Sequence, residues 1–123
     1  MYNFPKDSKL CDPKFLFGVA TASYQIEGAT NVDERCPSIW DTFCDKPGAV
    51  YKQHNGDVAC NHYHLYQDDV NLIENLGMDA YRLSIAWPRI IRPDGSTNQK
   101  GLDFYDRVIS ALEEKNLTIM ATL

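Results

Sequence analysis

"AYRLSIAW", residues 80–87, alternates strictly, so Tyr81, Leu83, Ile85 and Trp87 share one face of an extended chain and Arg82, Ser84 and Ala86 share the other. One face is bulky and needs a packing partner. The other is small and carries a guanidinium. Pro88 ends the strand. Working outward, the segments on both sides have helical spacing. Upstream, Tyr63, Tyr66, Val70, Ile73 and Leu76 recur at the spacing of one helix face between Val58 and Leu76, with Asp57 placed to cap the start and Gly77 to supply the left-handed residue after the end. Downstream, past the turn-rich "RPDGSTNQ" (92–99), Leu102, Tyr105, Val108, Ile109 and Leu112 mark the inward face of a second helix from about Leu102 to Glu114.

Beyond the helices lie two more apolar runs. "FLFGVATA" (15–22) reads as a first strand, in which Phe15, Leu16, Phe17, Val19 and Ala20 enter a core; "LTIMATL" (117–123) opens a third. The order β-α-β-α-β is that of a parallel sheet with crossover helices. A long connection runs from the first strand to about Ala59, and connections of that length are functional or disordered. "SIWDTF" (38–43) argues for order, because disordered segments are poor in aromatics. With no turn or cap after the third strand, about two and a half βα units are expected, with open parallel edges that call for more sheet.

The 123 residues, 44% hydrophobic and 24% charged, fit a soluble globular class. A net charge of −5 gives no electrostatic footing for nucleic acid or an anionic membrane. No apolar run approaches the roughly 18 residues of a membrane span, and Met1 to Leu10 lacks the apolar core of a secretory signal. Cys11, Cys36, Cys44 and Cys60 form no C-x-x-C pair; reduced thiols in a cytoplasmic protein are the simpler reading of an even count that would also allow disulfides. Cys60, His62 and His64 invite a zinc reading, but that spacing sends them to different faces of a helix, so neither metal nor cofactor is expected.

Two groups could carry chemistry. Arg82 lies on the small face of its strand, which in a closed barrel points inward, where a guanidinium needs a carboxylate partner. No acidic residue in 15–22 or 117–123 supplies one. Arg82 is therefore either a strand-end or core ion-pair residue, or a cation holding a catalytic carboxylate from elsewhere. Gln25 and Glu27 follow the first strand at its C-terminal end, where parallel α/β folds bind ligands. A glutamine amide both donates and accepts and can bridge neighbouring sugar hydroxyls, although a local turn contact explains one glutamine equally well.

Taken together, "FLFGVATASYQIEGA", "PSIWDTF", "NGDVACNHYH", "YRLSIAWPRI" and "GLDFYDRVISAL" resemble the N-terminal part of family 1 glycoside hydrolases, the β-glucosidase and 6-phospho-β-glucosidase family. The resemblance implies that residues 1–123 are the N-terminal portion of a single (β/α)8 (TIM) barrel domain acting on β-glucosides or related small sugars with a retaining mechanism. It implies that Gln25 binds hydroxyls of the non-reducing sugar and that Arg82 contacts the nucleophile. Glu27 is expected to support the loop. Retaining hydrolysis needs two carboxyl groups about 5–5.5 Å apart. The family carries them in N-E-P and E-N-G motifs that this sequence lacks; "IENLG" (73–77) lies on the first helix. The remainder of the barrel is thus needed for activity. The alternatives are a non-catalytic carbohydrate-binding or regulatory relative, or an unrelated βα domain, which five blocks in order disfavour.

Overall fold

The computed structural model describes residues 5–123. In chain order it contains β1 (Gly18–Ala20), α1 (Ser23–Ile26), α2 (Ile39–Cys44), α3 (His62–Asn75), β2 (Ala80–Ser84), α4 (Trp87–Ile90), α5 (Gln99–Glu114) and β3 (Thr118–Thr122). All three strands are parallel in the order β1-β2-β3, with Ala20 opposite Arg82 and Arg82 opposite Met120. The parallel α/β expectation holds. Both long helices, α3 and α5, cover the face bearing Tyr81 and Leu83, which are buried with Val70, Ile73, Phe104, Val108 and Leu112 in one cluster. The other face, with Ala20, Arg82 and Met120, is exposed.

Several boundaries differ from the sequence reading, each for a local reason. β1 begins at Gly18, and Phe15, Leu16 and Phe17 are exposed instead of entering the core. Asp79 takes the backbone of Phe17: its carboxylate accepts the Phe17 N–H at 2.9 Å, and its own N–H donates to the Phe17 carbonyl at 2.7 Å. α3 begins at His62, not near Val58, after left-handed Asn61. Asp57 does not cap it. Its carboxylate instead accepts from Thr30 Oγ1 and Asn55 Nδ2, both at 2.8 Å, fastening the long connection. The far end is as expected: Gly77, at φ 68°, donates to the Glu74 carbonyl and Met78 donates to that of Ile73, the paired bonds of a Schellman stop.

The alternation of "AYRLSIAW" fails after Ser84. Ala86 is buried and Trp87 is 58% exposed, because the chain turns into α4 with Pro88 in its first turn. α5 is rotated from the expected face. Leu102 and Ile109 are half-buried, while Phe104, which the spacing did not single out, is 0% exposed and lies 4.5 Å from the Tyr63 ring centre. Gly101 permits that rotation: a Cβ there would sit 1.9 Å from the Arg89 carbonyl oxygen, so α4 and α5 meet backbone to backbone.

The open face and the unpaired outer edges of β1 and β3 leave Phe15, Leu16, Phe17 and Met120 in solvent. The isolated 123-residue polypeptide is therefore expected to bind an apolar fluorescent dye and to unfold over a broad range. Calorimetry checks this, and a sharp cooperative transition without dye binding contradicts it.

Candidate functional site at the C-terminal edge of the sheet

The site is built where β1 and β2 end. After Ala20 the chain does not continue as strand; Thr21 N–H bonds the Arg82 carbonyl at 3.0 Å, and the Ser23 N–H donates to Ser84 Oγ at 2.7 Å. Anchored there, residues 23–26 close one helical turn, with Gln25 N–H on the Ala22 carbonyl and Glu27 N–H on that of Ser23. The expected strand over 15–22 is thus three residues long, and its polar sequel is a turn. Gln25 is exposed on that turn. It stands beside an open groove of about 500 Å³ whose walls include Tyr24, Trp40, Phe43, Val50 and His54. The Tyr24 and Trp40 rings stack at 6.2 Å. The Tyr24 hydroxyl donates to Cys44 Sγ at 3.3 Å and accepts from the Gly56 N–H at 3.2 Å. Burial first, then the Cys44 contact, pushes its phenol up to about 12, so it stays protonated and keeps donating.

One part of the groove wall, Trp40 and Phe43, comes from α2, within the aromatic stretch 38–43. Ser38 Oγ accepts from the Trp40 and Asp41 N–H groups while the Asp41 carboxylate accepts from Ser38 N–H, a reciprocal capping box that starts a six-residue helix. Burial pushes the Asp41 carboxyl up, but the Ser38 bonds and the Arg35 ion pair at 2.9 Å outweigh it and hold it lowered.

Glu27 is buried. Arg89 Nε donates to its Oε2 at 3.0 Å and the Tyr105 hydroxyl to its Oε1 at 2.5 Å; Arg89 Nη2 also donates to the Gly28 carbonyl at 3.1 Å. Arg89 is 0% exposed, and its guanidinium carbon lies 4.5 Å from the Tyr63 ring centre. The same Tyr105 hydroxyl accepts from Ala86 N–H at 2.7 Å. Burial first, then the Glu27 charge, raises the Tyr105 phenol far out of the titrating range. Glu27 is the loop support expected of it; Arg89 and Tyr105 were not expected. The visible signal was an arginine amid the apolar "WPRI", whose partner is 62 residues away in sequence.

Arg82 is exposed on the open sheet face, and its Nε donates to Thr122 Oγ1 at 3.3 Å. Among the described residues no carboxylate reaches its guanidinium. Arg82 and Gln25 belong to the same end of the sheet, since Arg82 is in register with the last residue of β1. Cys60, His62 and His64 do not converge on a common point: His62 Nδ1 pairs with Asp69 at 2.6 Å, and the His64 ring meets that of Tyr63 edge-on. Among the described residues no helix is long and apolar enough to cross a membrane.

The profile of Glycosyl hydrolase family 1 matches residues 7–123. The chain belongs to that family. It is 57% identical over 111 residues to the β-glucosidase of Agrobacterium sp., a match covering 89% of this chain and 24% of the relative. The crystal structure of the AHE enzyme from Alicyclobacillus herbarius superposes with a TM-score of 0.88 at 54% identity, covering 99% of this chain and 26% of that one. The virulence factor SghA, solved with its substrate analogue salicin, gives 0.85 at 60% identity, covering 89% and 24%. The family 1 chain described here spans about a quarter of the length of the relatives it matches.

The connection bearing this site is clasped to α5 at its outer edge. Glu34 accepts from Arg92 Nη2 at 2.5 Å and from Lys100 Nζ at 2.8 Å. The Lys100 bond, then the Arg92 bond, lower its carboxyl from 4.5 to about 2. A carboxyl lowered on folding stabilises the fold above its unfolded value, and that contribution is lost as pH falls through the folded value. The clasp should therefore hold at pH 5 and open between about pH 4.5 and 2. Carboxyl-carbon NMR of the Agrobacterium enzyme carrying these 123 residues in place of its own aligned segment tests this, with Glu34→Gln assigning the resonance. A midpoint near 4.5 means that no clasp forms.

Proposed function

We propose that residues 1–123 form the N-terminal two and a half βα units of a (β/α)8 glycosidase domain that hydrolyses β-glycosidic bonds with retention, of the β-glucosidase type. The observation that carries this reading is the exposed Gln25 amide on a braced turn at the C-terminal edge of a parallel sheet, at the same end as Arg82. That edge is where (β/α)8 enzymes place their chemistry. The winding supports the barrel: strands run in chain order with both crossover helices on one face, whereas doubly wound sheets reverse their strand order. The β-glucosidase relatives and the salicin-bound SghA support a β-glucoside as substrate.

In this reading Gln25 donates to one sugar hydroxyl and accepts from its neighbour, bonds that tighten as the ring distorts toward the oxocarbenium-like transition state. Arg82 holds the nucleophilic carboxylate in its charged form, because an adjacent cation lowers a carboxyl's pKa. Both carboxyl groups come from the remainder of the barrel, for this chain has neither motif. A cytoplasmic location belongs to the same proposal; what supports it is a cysteine pattern with no C-x-x-C pair and no regular spacing.

The 123-residue polypeptide by itself is expected to release no nitrophenol from a nitrophenyl β-glucoside above an empty-vector control. In the Agrobacterium enzyme carrying these residues, Gln25→Ala is expected to lower kcat/KM by on the order of 2–4 kcal/mol with little change in melting temperature. Arg82→Met is expected to act mainly on kcat and to displace the acid limb of the pH–rate profile. Parental kinetics in both variants would refute the proposed roles, and a large loss of Tm with unchanged kinetics would make Gln25 a loop brace.

A further inference from the structure

We infer that the buried trio of Glu27, Arg89 and Tyr105 is a positioning device that sets where Gln25 stands relative to the end of β2. The inference rests on the sugar-site reading of Gln25. Glu27 closes the turn that displays Gln25 and lies two residues beyond it. Its backbone is held at both ends, by its own N–H on the Ser23 carbonyl at 2.9 Å and by Tyr63 N–H on its carbonyl at 3.0 Å. Its carboxylate is held on both oxygens, by Arg89 and by Tyr105. One hydroxyl, that of Tyr105, donates to Glu27 and accepts from the Ala86 N–H. The loop after β1 and the loop after β2 therefore share a single atom of α5. Neither can shift without breaking a buried hydrogen bond.

Stability alone does not call for this arrangement. A buried ion pair is commonly no more stabilising than apolar residues of the same volume, because desolvation offsets the attraction. What ions and directed hydrogen bonds supply is a fixed geometry. Arg89 shows the cost: among the described residues its Nη1 has no hydrogen-bond partner, and the guanidinium carbon lies 4.5 Å from the ring centre of Tyr63 and 5.5 Å from that of Phe104. Within the trio Glu27 reaches toward the site, while Arg89 and Tyr105 are buried in the core behind it. Glu27 and Ala86 both border a cavity of about 180 Å³ whose other walls include Ser23, Tyr24 and Trp87. Gln25, whose amide has no hydrogen bond among the described residues, takes its position from the turn that the trio anchors.

The test is a double-mutant cycle in the Agrobacterium β-glucosidase carrying these 123 residues. Tyr105→Phe removes one hydroxyl and keeps the ring; Glu27→Asp keeps the charge opposite Arg89, draws the carboxylate back and serves if the first variant does not fold. Each is expected to lower kcat/KM for a nitrophenyl β-glucoside by about ten- to hundredfold, as displacing a contact by an ångström does. In a Gln25→Ala background the same substitutions should cost less than about twofold, because the residue they position is gone. Equal losses in both backgrounds overturn the inference, as does a lowered Tm with parental kinetics. If Gln25→Ala is itself without kinetic effect, the sugar-site reading falls and the inference with it, and that single variant distinguishes this failure from the others.

Discussion

A guanidinium with no exposed surface constrains everything around it. Arg89 can be buried because Glu27 neutralises it, Gly28 accepts from it and two aromatic faces border it. Removing one partner of such a pair commonly costs about 3–5 kcal/mol, since the other charge is left uncompensated in a dry interior. The neighbouring features follow from accommodating it. α4 places the arginine, Gly101 lets α5 approach its carbonyl, and Asn98, itself buried, donates to that carbonyl at 2.9 Å and to the Asp33 carbonyl at 2.7 Å. The first loop, the second loop and α5 become one body.

The sheet divides its labour by face. Tyr81 and Leu83 project into an apolar layer under α3 and α5, so that face is determined by burial. The opposite face sets Arg82 between Ala20 and Met120 and stays open. In a parallel sheet the turns after each strand gather at one edge, so a single exposed amide on the first turn and a cation on the second strand share a neighbourhood without being near in sequence.

The long connection is ordered by side chains and not by regular structure. It carries Ala29, Asp33, Glu34, Ala59 and Asn61 at positive φ, a conformation that costs non-glycine residues energy and persists where the surroundings impose it. Here the surroundings are specific: Asp57 with Thr30, the Tyr63 hydroxyl donating to Asp33, and Glu34 between Arg92 and Lys100. The groove beside Gln25 inherits its shape from these ties, through α2 and the stacked Tyr24 and Trp40.

Local patterns determined the β-α-β-α-β order, the buried Tyr81 and Leu83, the Gly77 stop and the helical faces with Val70 and Ile73 and with Val108 and Leu112, because these depend on stretches only a few residues long. The motif blocks determined the family. Tertiary structure decided the rest. Phe15 to Phe17 lie outside on the uncovered edge beside β1, and Asp57, held by Thr30 and Asn55, lies ahead of α3, which starts at His62. Phe104 reached the centre of the core because Gly101 let α5 rotate toward α4. Glu27, Arg89 and Tyr105 found one another across 62 and 78 residues. No local pattern encodes such a meeting; it exists once the sheet is wound and a buried charge has to be satisfied.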